Sequence, residues 1–214
     1  MLKMLDFIEM RRCFGCSRTG KYFCDECAVG LIPRSVQFQK DFKLSVVANQ
    51  NPALMRAISA WKDNHLKQLT KVFAELFAMN ISKLDPTKTY QLVTTPIRKA
   101  ADKSRGFKPM VDLANELCKV NSNLSFSAAT LGFRRSIRDQ RTLDIDSRKS
   151  NLNNAFICNE KPLHSIILLD DVVTSGATLF EMRRTILRMN LPVQAMTITS
   201  SHNIFRLNHH KEFS

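Results

Sequence analysis

Apolar residues alternate between strand-like and helix-like spacing, most clearly near the C-terminal end of the chain. Residues 166–169 form a continuous apolar run, which is typical of a strand covered on both faces. Apolar residues then recur at helical spacing from 179 to 189, and Pro192 marks the end of that helix. Residues 193–200 return as a strand. This order predicts a β-α-β unit with parallel strands and a right-handed crossover.

The same alternation continues upstream in weaker form. Asn51 and Pro52 suit the cap and first position of a helix, whose apolar residues extend to about residue 79. The stretch 134–149 is rich in arginine and has little apolar period, and the first forty residues also lack a clear one. The remaining predicted elements are strands at 44–48, 91–94, 125–130 and 155–158, and a helix that begins at Pro109.

Composition and charge narrow the class of protein. The chain has 214 residues, of which 44% are hydrophobic and 24% charged, as in ordinary globular proteins. Its 32 Lys and Arg against 19 Asp and Glu give a formal charge of +13, which attracts nucleic acid, phosphorylated small molecules or anionic lipid without choosing among them. No apolar run approaches the roughly 20 residues of a membrane span, and Asp6 and Glu9 interrupt any signal peptide. We therefore expect a cytoplasmic protein.

The junction after the strand at 166–169 combines acids, hydroxyls and a glycine. Asp170 and Asp171 end the strand, where ligands bind in open α/β sheets. The turn that follows opens a helix, whose free N–H groups and partial positive charge favour phosphate. Taken one at a time, these residues fit a capped helix beside a solvated acid pair. Together they predict a phosphate site with carboxylates placed for ribose hydroxyls or Mg²⁺.

Residues 166–178 also resemble the phosphoribosyl pyrophosphate signature of type I phosphoribosyltransferases at every position. The resemblance implies that Asp170 and Asp171 form the catalytic acid pair and contact the ribose hydroxyls. It implies a ribosyl oxocarbenium ion, a pyrophosphate leaving group and a bound Mg²⁺ ion. The residues implied to bind the ribose 5-phosphate are Thr174, Ser175, Gly176, Ala177 and Thr178.

Four of the six cysteines form two closely spaced C-x-x-C pairs. Each pair offers two thiolates from one tight turn, and two such turns complete a tetrahedral zinc site. Four independent thiols, a redox pair and an iron–sulfur cluster are the alternatives. Because four thiolates leave no open coordination position, we predict a structural zinc ion. Its ligands are Cys13, Cys16, Cys24 and Cys27.

A four-cysteine ribbon, a connecting helix and a phosphoribosyltransferase domain in this order resemble the ComF family. The resemblance is carried by short motifs along most of the chain, although Thr94 and Lys108-Pro109 depart from the family pattern. The matching segments are Ala60-Trp61-Lys62-Asp63, residues 93–97, Arg105-Gly106-Phe107, Asp139-Gln140 with Leu143, Arg148 with Asn151-Leu152, and Ala155-Phe156.

The ComF resemblance implies a role in natural competence, with binding of incoming single-stranded DNA and with DNA-uptake or helicase proteins as partners. The basic residues implied to bind pyrophosphate or DNA are Arg98, Lys99, Arg105 and Arg148. The alternative is an active phosphoribosyltransferase with an unidentified acceptor, and the sequence leaves turnover open.

These observations combine into one expected architecture. The predicted fold is α/β, a type I phosphoribosyltransferase-like twisted and mainly parallel sheet flanked by helices. A small zinc ribbon precedes it. We expect residues 1–42 to form the ribbon and residues 43–214 the phosphoribosyltransferase-like domain.

Overall fold

The computed structural model of the protein describes residues 11–39, 41–96, 107–137 and 145–201, without the side chains of 39, 145–146 and 148–149. In this part of the chain, strands and helices alternate as the apolar pattern predicts. The strands are β1 (Arg34–Gln39), β2 (Phe42–Val46), β3 (Tyr90–Thr94), β4 (Leu124–Phe126), β5 (Leu131–Phe133), β6 (Phe156–Cys158), β7 (Ser165–Val173) and β8 (Val193–Ser200). The helices are α1 (Asp25–Ala28), α2 (Pro52–Lys62), α3 (Leu69–Ile81), α4 (Pro109–Val120), α5 (Ile145–Leu152) and α6 (Ala177–Ile186).

Six strands form one sheet in the order β1-β2-β8-β7-β3-β4. Only the edge strand β1 runs antiparallel to its neighbour, and all the other pairings in this sheet are parallel. Strands β5 and β6 form a separate antiparallel pair. The prediction of a mainly parallel sheet flanked by helices is therefore confirmed. Strand β1 precedes residue 43 and still pairs with the sheet, and the domain boundary at residue 42 stays a prediction.

Both faces of the sheet are covered, as the continuous apolar run in β7 predicts. Ile167 and Leu169 pack into a core with helices α2, α3 and α4. Ile166 and Leu168 alternate with them and pack against α6 and the β5–β6 pair. All four side chains are fully buried. The two layers hold the carboxyl end of β7 firmly in the middle of the sheet.

The predicted helix at 52–79 is two helices in the structure. Helix α2 ends at Lys62, and His65 adopts a left-handed backbone conformation with φ of 57° before α3 begins. The indole N–H of Trp61 donates a hydrogen bond to the Thr70 hydroxyl across this break, at 2.9 Å. The apolar spacing fits both helices separately, so it does not reveal the turn between them.

Other elements of the structure differ from the predicted ones in their bounds or were not predicted. Strand β7 extends to Val173, two residues beyond the acid pair at which the sequence ends the strand. The predicted strand at 125–130 is replaced by β4 and β5. Helix α5 and strand β1 lie in segments with little apolar period, where no element is predicted. Within the described residues, no helix is long and apolar enough to cross a bilayer.

Candidate phosphate-binding site and cysteine cluster

The candidate phosphate loop connects β7 to α6 at the carboxyl edge of the sheet. Thr174 is exposed, Ser175 and Thr178 are half-buried, and Gly176 and Ala177 are buried. The backbone N–H of Ala177 donates a hydrogen bond to the Ser175 hydroxyl at 3.4 Å. The sequence-predicted loop residues are thus brought together at the N-terminus of a ten-residue helix. Such a helix end offers N–H donors to a phosphate.

Gly176 has two structural reasons to be glycine. Its φ of 74° lies in the left-handed region, where a side chain is disfavoured. A Cβ atom built on it would also lie 2.4 Å from the ring of Phe38 and 3.0 Å from that of Phe180. These two rings stack with their centroids 4.6 Å apart. Strand β1 therefore packs an aromatic side chain directly against the candidate phosphate loop, a contact that the sequence does not predict.

The acid pair is tied into the sheet and to helix α2. Asp171 is buried, and its carboxylate accepts a hydrogen bond from the Val172 N–H at 2.6 Å. The same carboxylate forms an ion pair with Lys62 at the end of α2. Asp170 accepts a hydrogen bond from the Asp171 N–H at 3.0 Å. Lys62 is thus a site residue that the sequence shows only as part of a helical motif.

Burial and the charge of its neighbour change the acidity of Asp170. Removal from water, reinforced by the Asp171 carboxylate, raises the pKa of Asp170 to about 7, although the Lys62 charge acts in the opposite direction. A substantial fraction of Asp170 is therefore protonated at neutral pH. In that state its carboxyl group can donate a hydrogen bond, while its ionised form can accept one.

Strand β8 adds hydroxyl groups beside the acid pair. Thr197, which is paired in register with Asp170, is fully buried, as is Thr199, and Ser200 is nearly so. Within the described residues their hydroxyls have no hydrogen-bond partner. The Ser201 hydroxyl donates to the carbonyl oxygen of Thr174 at 3.2 Å. A run of hydroxyl residues at the end of an otherwise apolar strand was the available signal for this polar edge.

The predicted basic residues of the site have side chains outside the described part of the structure. Arg98, Lys99 and Arg105 lie outside the described residues. Arg148 belongs to α5, but its side chain is not among those described. Their contacts with pyrophosphate or DNA stay predictions.

The four cysteines converge as the two C-x-x-C pairs predict. Their sulfur atoms all lie within 4.8 Å of one another. The Cys24 sulfur is 3.8 Å from that of Cys13 and 3.6 Å from that of Cys16. A tetrahedral zinc ion with bonds of about 2.3 Å requires sulfur separations of about 3.8 Å. The geometry and the all-thiol chemistry therefore fit a closed metal site, with a structural zinc ion as the natural occupant.

Backbone N–H groups support the cysteine cluster. Gly15 and Cys24 donate to the Cys13 sulfur at 3.3 and 3.4 Å. Burial raises the pKa of the Cys13 thiol, but the N–H donors of Cys24, Cys16 and Gly15 outweigh it and lower that pKa to about 6. A Cβ atom on Gly15 would lie 2.4 Å from the Cys27 sulfur. The knuckle therefore requires glycine at this position.

The chain was compared with family models and with curated proteins. No family model matches the chain. Among curated proteins, the chain is similar to a group described as DNA utilization proteins. It is 26% identical over 192 residues to DNA utilization protein YhgH of Escherichia coli K12, with 82% of each chain covered. The same identity and coverage are found for the protein of that name from Shigella flexneri. For that of Escherichia coli O157:H7 the identity is 25%.

Among solved structures, the chain overlaps with a hypoxanthine phosphoribosyltransferase from Staphylococcus aureus. The overlap covers 64% of this chain and 65% of that one, with a TM-score of 0.39 and 13% sequence identity.

Proposed function

We propose that the protein binds phosphoribosyl pyrophosphate, or a related phosphoribosyl ligand, at residues 170–178 and takes part in handling single-stranded DNA. The observation that carries the first half is the loop itself. A thirteen-residue match to the phosphoribosyl pyrophosphate signature coincides with a strand end, an acid pair and a helix N-terminus at the carboxyl edge of a parallel sheet.

Each part of the loop has a distinct task in this proposal. The N–H groups at the start of α6 and the hydroxyls of Thr174, Ser175 and Thr178 hold the 5-phosphate. Asp170 and Asp171 contact the ribose hydroxyls. Carboxylate oxygens are also ligands that Mg²⁺ prefers, so the acid pair and the ligand's pyrophosphate fit this ion. When bound, Mg²⁺ supplies charge neutralisation to the pyrophosphate group.

The DNA half of the proposal rests on similarity and charge. The similar proteins from Escherichia coli and Shigella flexneri are named for DNA utilization, and the ComF resemblance implies a competence protein that meets single-stranded DNA. The formal charge of +13 favours contact with a phosphate backbone. Arg98, Lys99, Arg105 and Arg148 are the proposed contacts of DNA or pyrophosphate near the loop. DNA-uptake or helicase proteins are the proposed partners in natural transformation.

A second candidate function is phosphoribosyl transfer to an unidentified acceptor. The intact acid pair favours it, because two carboxylates beside a phosphate would weaken a site that only bound DNA. The Asp170→Ala/Asp171→Ala variant should abolish transfer and leave DNA binding unchanged or stronger. Loss of DNA binding in the folded variant would contradict separate roles for the two functions.

Isothermal titration of the zinc-loaded protein with phosphoribosyl pyrophosphate and Mg²⁺ tests the pocket directly. We expect saturable binding to the wild type and its loss in Thr174→Val/Thr178→Val, which keeps the side-chain volumes and removes two hydroxyls. Thr87→Val, in an exposed turn outside the site, is the matched control. Failure of the wild type to bind would refute the phosphoribosyl half of the proposal.

A further inference from the structure

A cleft beside the cysteine cluster is lined by three arginines. Arg11 and Arg12 precede Cys13, and Arg56 reaches the same cleft from α2. The cavity has a volume of about 560 Å³, within the ~300–1,000 Å³ range of small-ligand sites. Its lining residues in the described part of the chain include no carboxylate. The remaining lining residues are Cys13, Phe14, Ser17, Tyr22 and Leu66.

The arginines of this cleft differ from the other basic residues of the ribbon in their ion pairing. Arg18 pairs with Glu26 at 2.8 Å, and Lys21 pairs with Asp25 at 2.7 Å. No such ion pair with a described carboxylate is found for the three cleft arginines. Arg56 donates to the Phe14 carbonyl, which fixes its position at the cleft. Three guanidinium ions that no described carboxylate neutralises attract a polyanion more strongly than paired ones do.

Aromatic rings lie beside these arginines. The Arg11 guanidinium sits over the ring of Tyr22, 5.6 Å from its centroid. The rings of Tyr22 and Phe14 are 6.2 Å apart; Tyr22 is buried in the core, and the half-buried Phe14 is the ring that a base can reach. Arginines for phosphates combined with aromatic and guanidinium faces for bases are the recognition elements of single-stranded nucleic acid. A cavity of this volume accommodates an individual nucleotide unit.

We infer that this arginine cleft, formed by Arg11, Arg12 and Arg56 beside the cysteine ribbon, binds the backbone of single-stranded DNA. It lies outside the phosphate loop and adds a second anion site to the protein. The inference rests on the proposed function for the choice of DNA as the polyanion, and it is independent of the phosphoribosyl pocket. The metal site then supports a DNA-contacting surface in addition to the local fold.

The test is fluorescence anisotropy of a labelled oligo(dT) at several salt concentrations. The Arg11→Ala/Arg12→Ala variant leaves the Arg56 contact to Phe14 in place. It should bind more weakly, with the slope of log K against log salt smaller by about 1.4, because each single-strand phosphate contact contributes ~0.7. The matched control is Lys83→Ser/Arg188→Ser, which removes two exposed charges outside the cleft.

The outcomes separate this inference from the proposed function. The inference is supported if the Arg11→Ala/Arg12→Ala variant shows the smaller slope while it keeps its full zinc content and its binding of phosphoribosyl pyrophosphate. The control variant should then bind oligo(dT) nearly as the wild type does. Equal binding by the Arg11→Ala/Arg12→Ala variant and the wild type overturns the inference and leaves the DNA-handling role standing. Loss of zinc together with DNA binding assigns the arginines to the metal site and also overturns it. A wild type that binds no oligo(dT), or binds duplex equally well, refutes single-strand recognition, and the phosphoribosyl titration still tests the loop separately.

Discussion

The cysteine ribbon and the phosphate loop both depend on a crowded glycine, but different forces hold the two regions. A Cβ atom on Gly15 would lie 2.4 Å from a cysteine sulfur, and one on Gly176 would lie 2.4 Å from the ring of Phe38. The loop follows β7, whose side chains at 166–169 are fully buried. The ribbon has one short helix without a buried residue, and within residues 11–33 it adds three buried apolar side chains, Tyr22, Phe23 and Leu31, to the main core. Metal ligation should therefore dominate ribbon stability, and apolar packing should hold the loop, so each region can fail without the other.

The largest expected effect is loss of the metal. Cys13→Ser/Cys16→Ser removes two of the four ligands and should reduce bound zinc from about one ion per chain to none, with unfolding of residues 11–33. Structural zinc contributes on the order of 10 kcal/mol to such small units. Metal analysis and limited proteolysis provide the measurement. The Cys118→Ser/Cys158→Ser variant is the matched control, and a fully folded, metal-free Cys13→Ser/Cys16→Ser variant would contradict the structural role.

Next in size is the effect of a methyl group at Gly15. Gly15→Ala must displace the Cys27 thiol or the backbone that donates to Cys13, so zinc affinity should fall by about 100-fold, the upper range for groups that support a metal ligand. Competition with a chromogenic chelator measures this affinity. Gly30→Ala is the control, because its Cβ atom would meet only the Cys27 carbonyl oxygen at an ordinary 3.9 Å. Equal affinities in the two variants would rule out the crowding argument.

A smaller effect is expected at the loop glycine. Gly176→Ala should lower the free energy of unfolding by about 2 kcal/mol, because alanine is strained at a φ of 74° and its methyl group meets Phe38. Urea unfolding measures this difference. Phe38→Leu in the same chain should recover the part due to crowding and leave the backbone strain. If the double variant is no more stable than Gly176→Ala, the Phe38 contact is irrelevant. Zinc content should be unchanged in both variants.

Measured per pH unit, the pH dependence of stability gives the smallest predicted effect. Asp170 has a pKa of about 7 in the folded chain, whereas an unfolded aspartate ionises near pH 3.9. Between those values the folded chain holds a proton that the unfolded chain releases. The free energy of unfolding should therefore decrease as the pH rises from about 4 to 7, by at most ~1.4 kcal/mol per pH unit.

Asp170→Asn should remove the part of this pH dependence that is due to Asp170. The free energies of unfolding of the wild type and this variant should therefore diverge as the pH rises. Lys62→Met should act in the opposite direction from Asp170→Asn and make the free energy of unfolding depend more strongly on pH. The reason is that loss of the lysine charge raises the pKa of Asp170 further. Unfolding curves recorded across the pH range provide both comparisons. Parallel curves for wild type and Asp170→Asn would mean that Asp170 ionises normally in the folded protein.

Local signals in the sequence explain which parts of the fold and site were predictable. The run at 166–169, the hydroxyl-rich turn and the C-x-x-C pairs lie within short segments, and their geometry follows from neighbouring residues. The contact between Lys62 and Asp171 joins residues 109 positions apart, so no local pattern reveals it. The same applies to Phe38 and Gly176, which meet only after β1 pairs with the sheet. His65 illustrates a third limit, because apolar spacing passes through its turn unchanged.

The strand order has a consequence for the chain during synthesis. Strand β8 is the last strand of the described residues, yet it lies between β2 and β7 in the middle of the sheet. Until residue 200 has left the ribosome, β2 and the long apolar β7 each keep one unpaired edge. Unpaired strand edges promote aggregation of nascent chains. Premature termination before Val193 should therefore yield an insoluble product, and a chaperone that recognises apolar strands would be needed most just before β8 emerges.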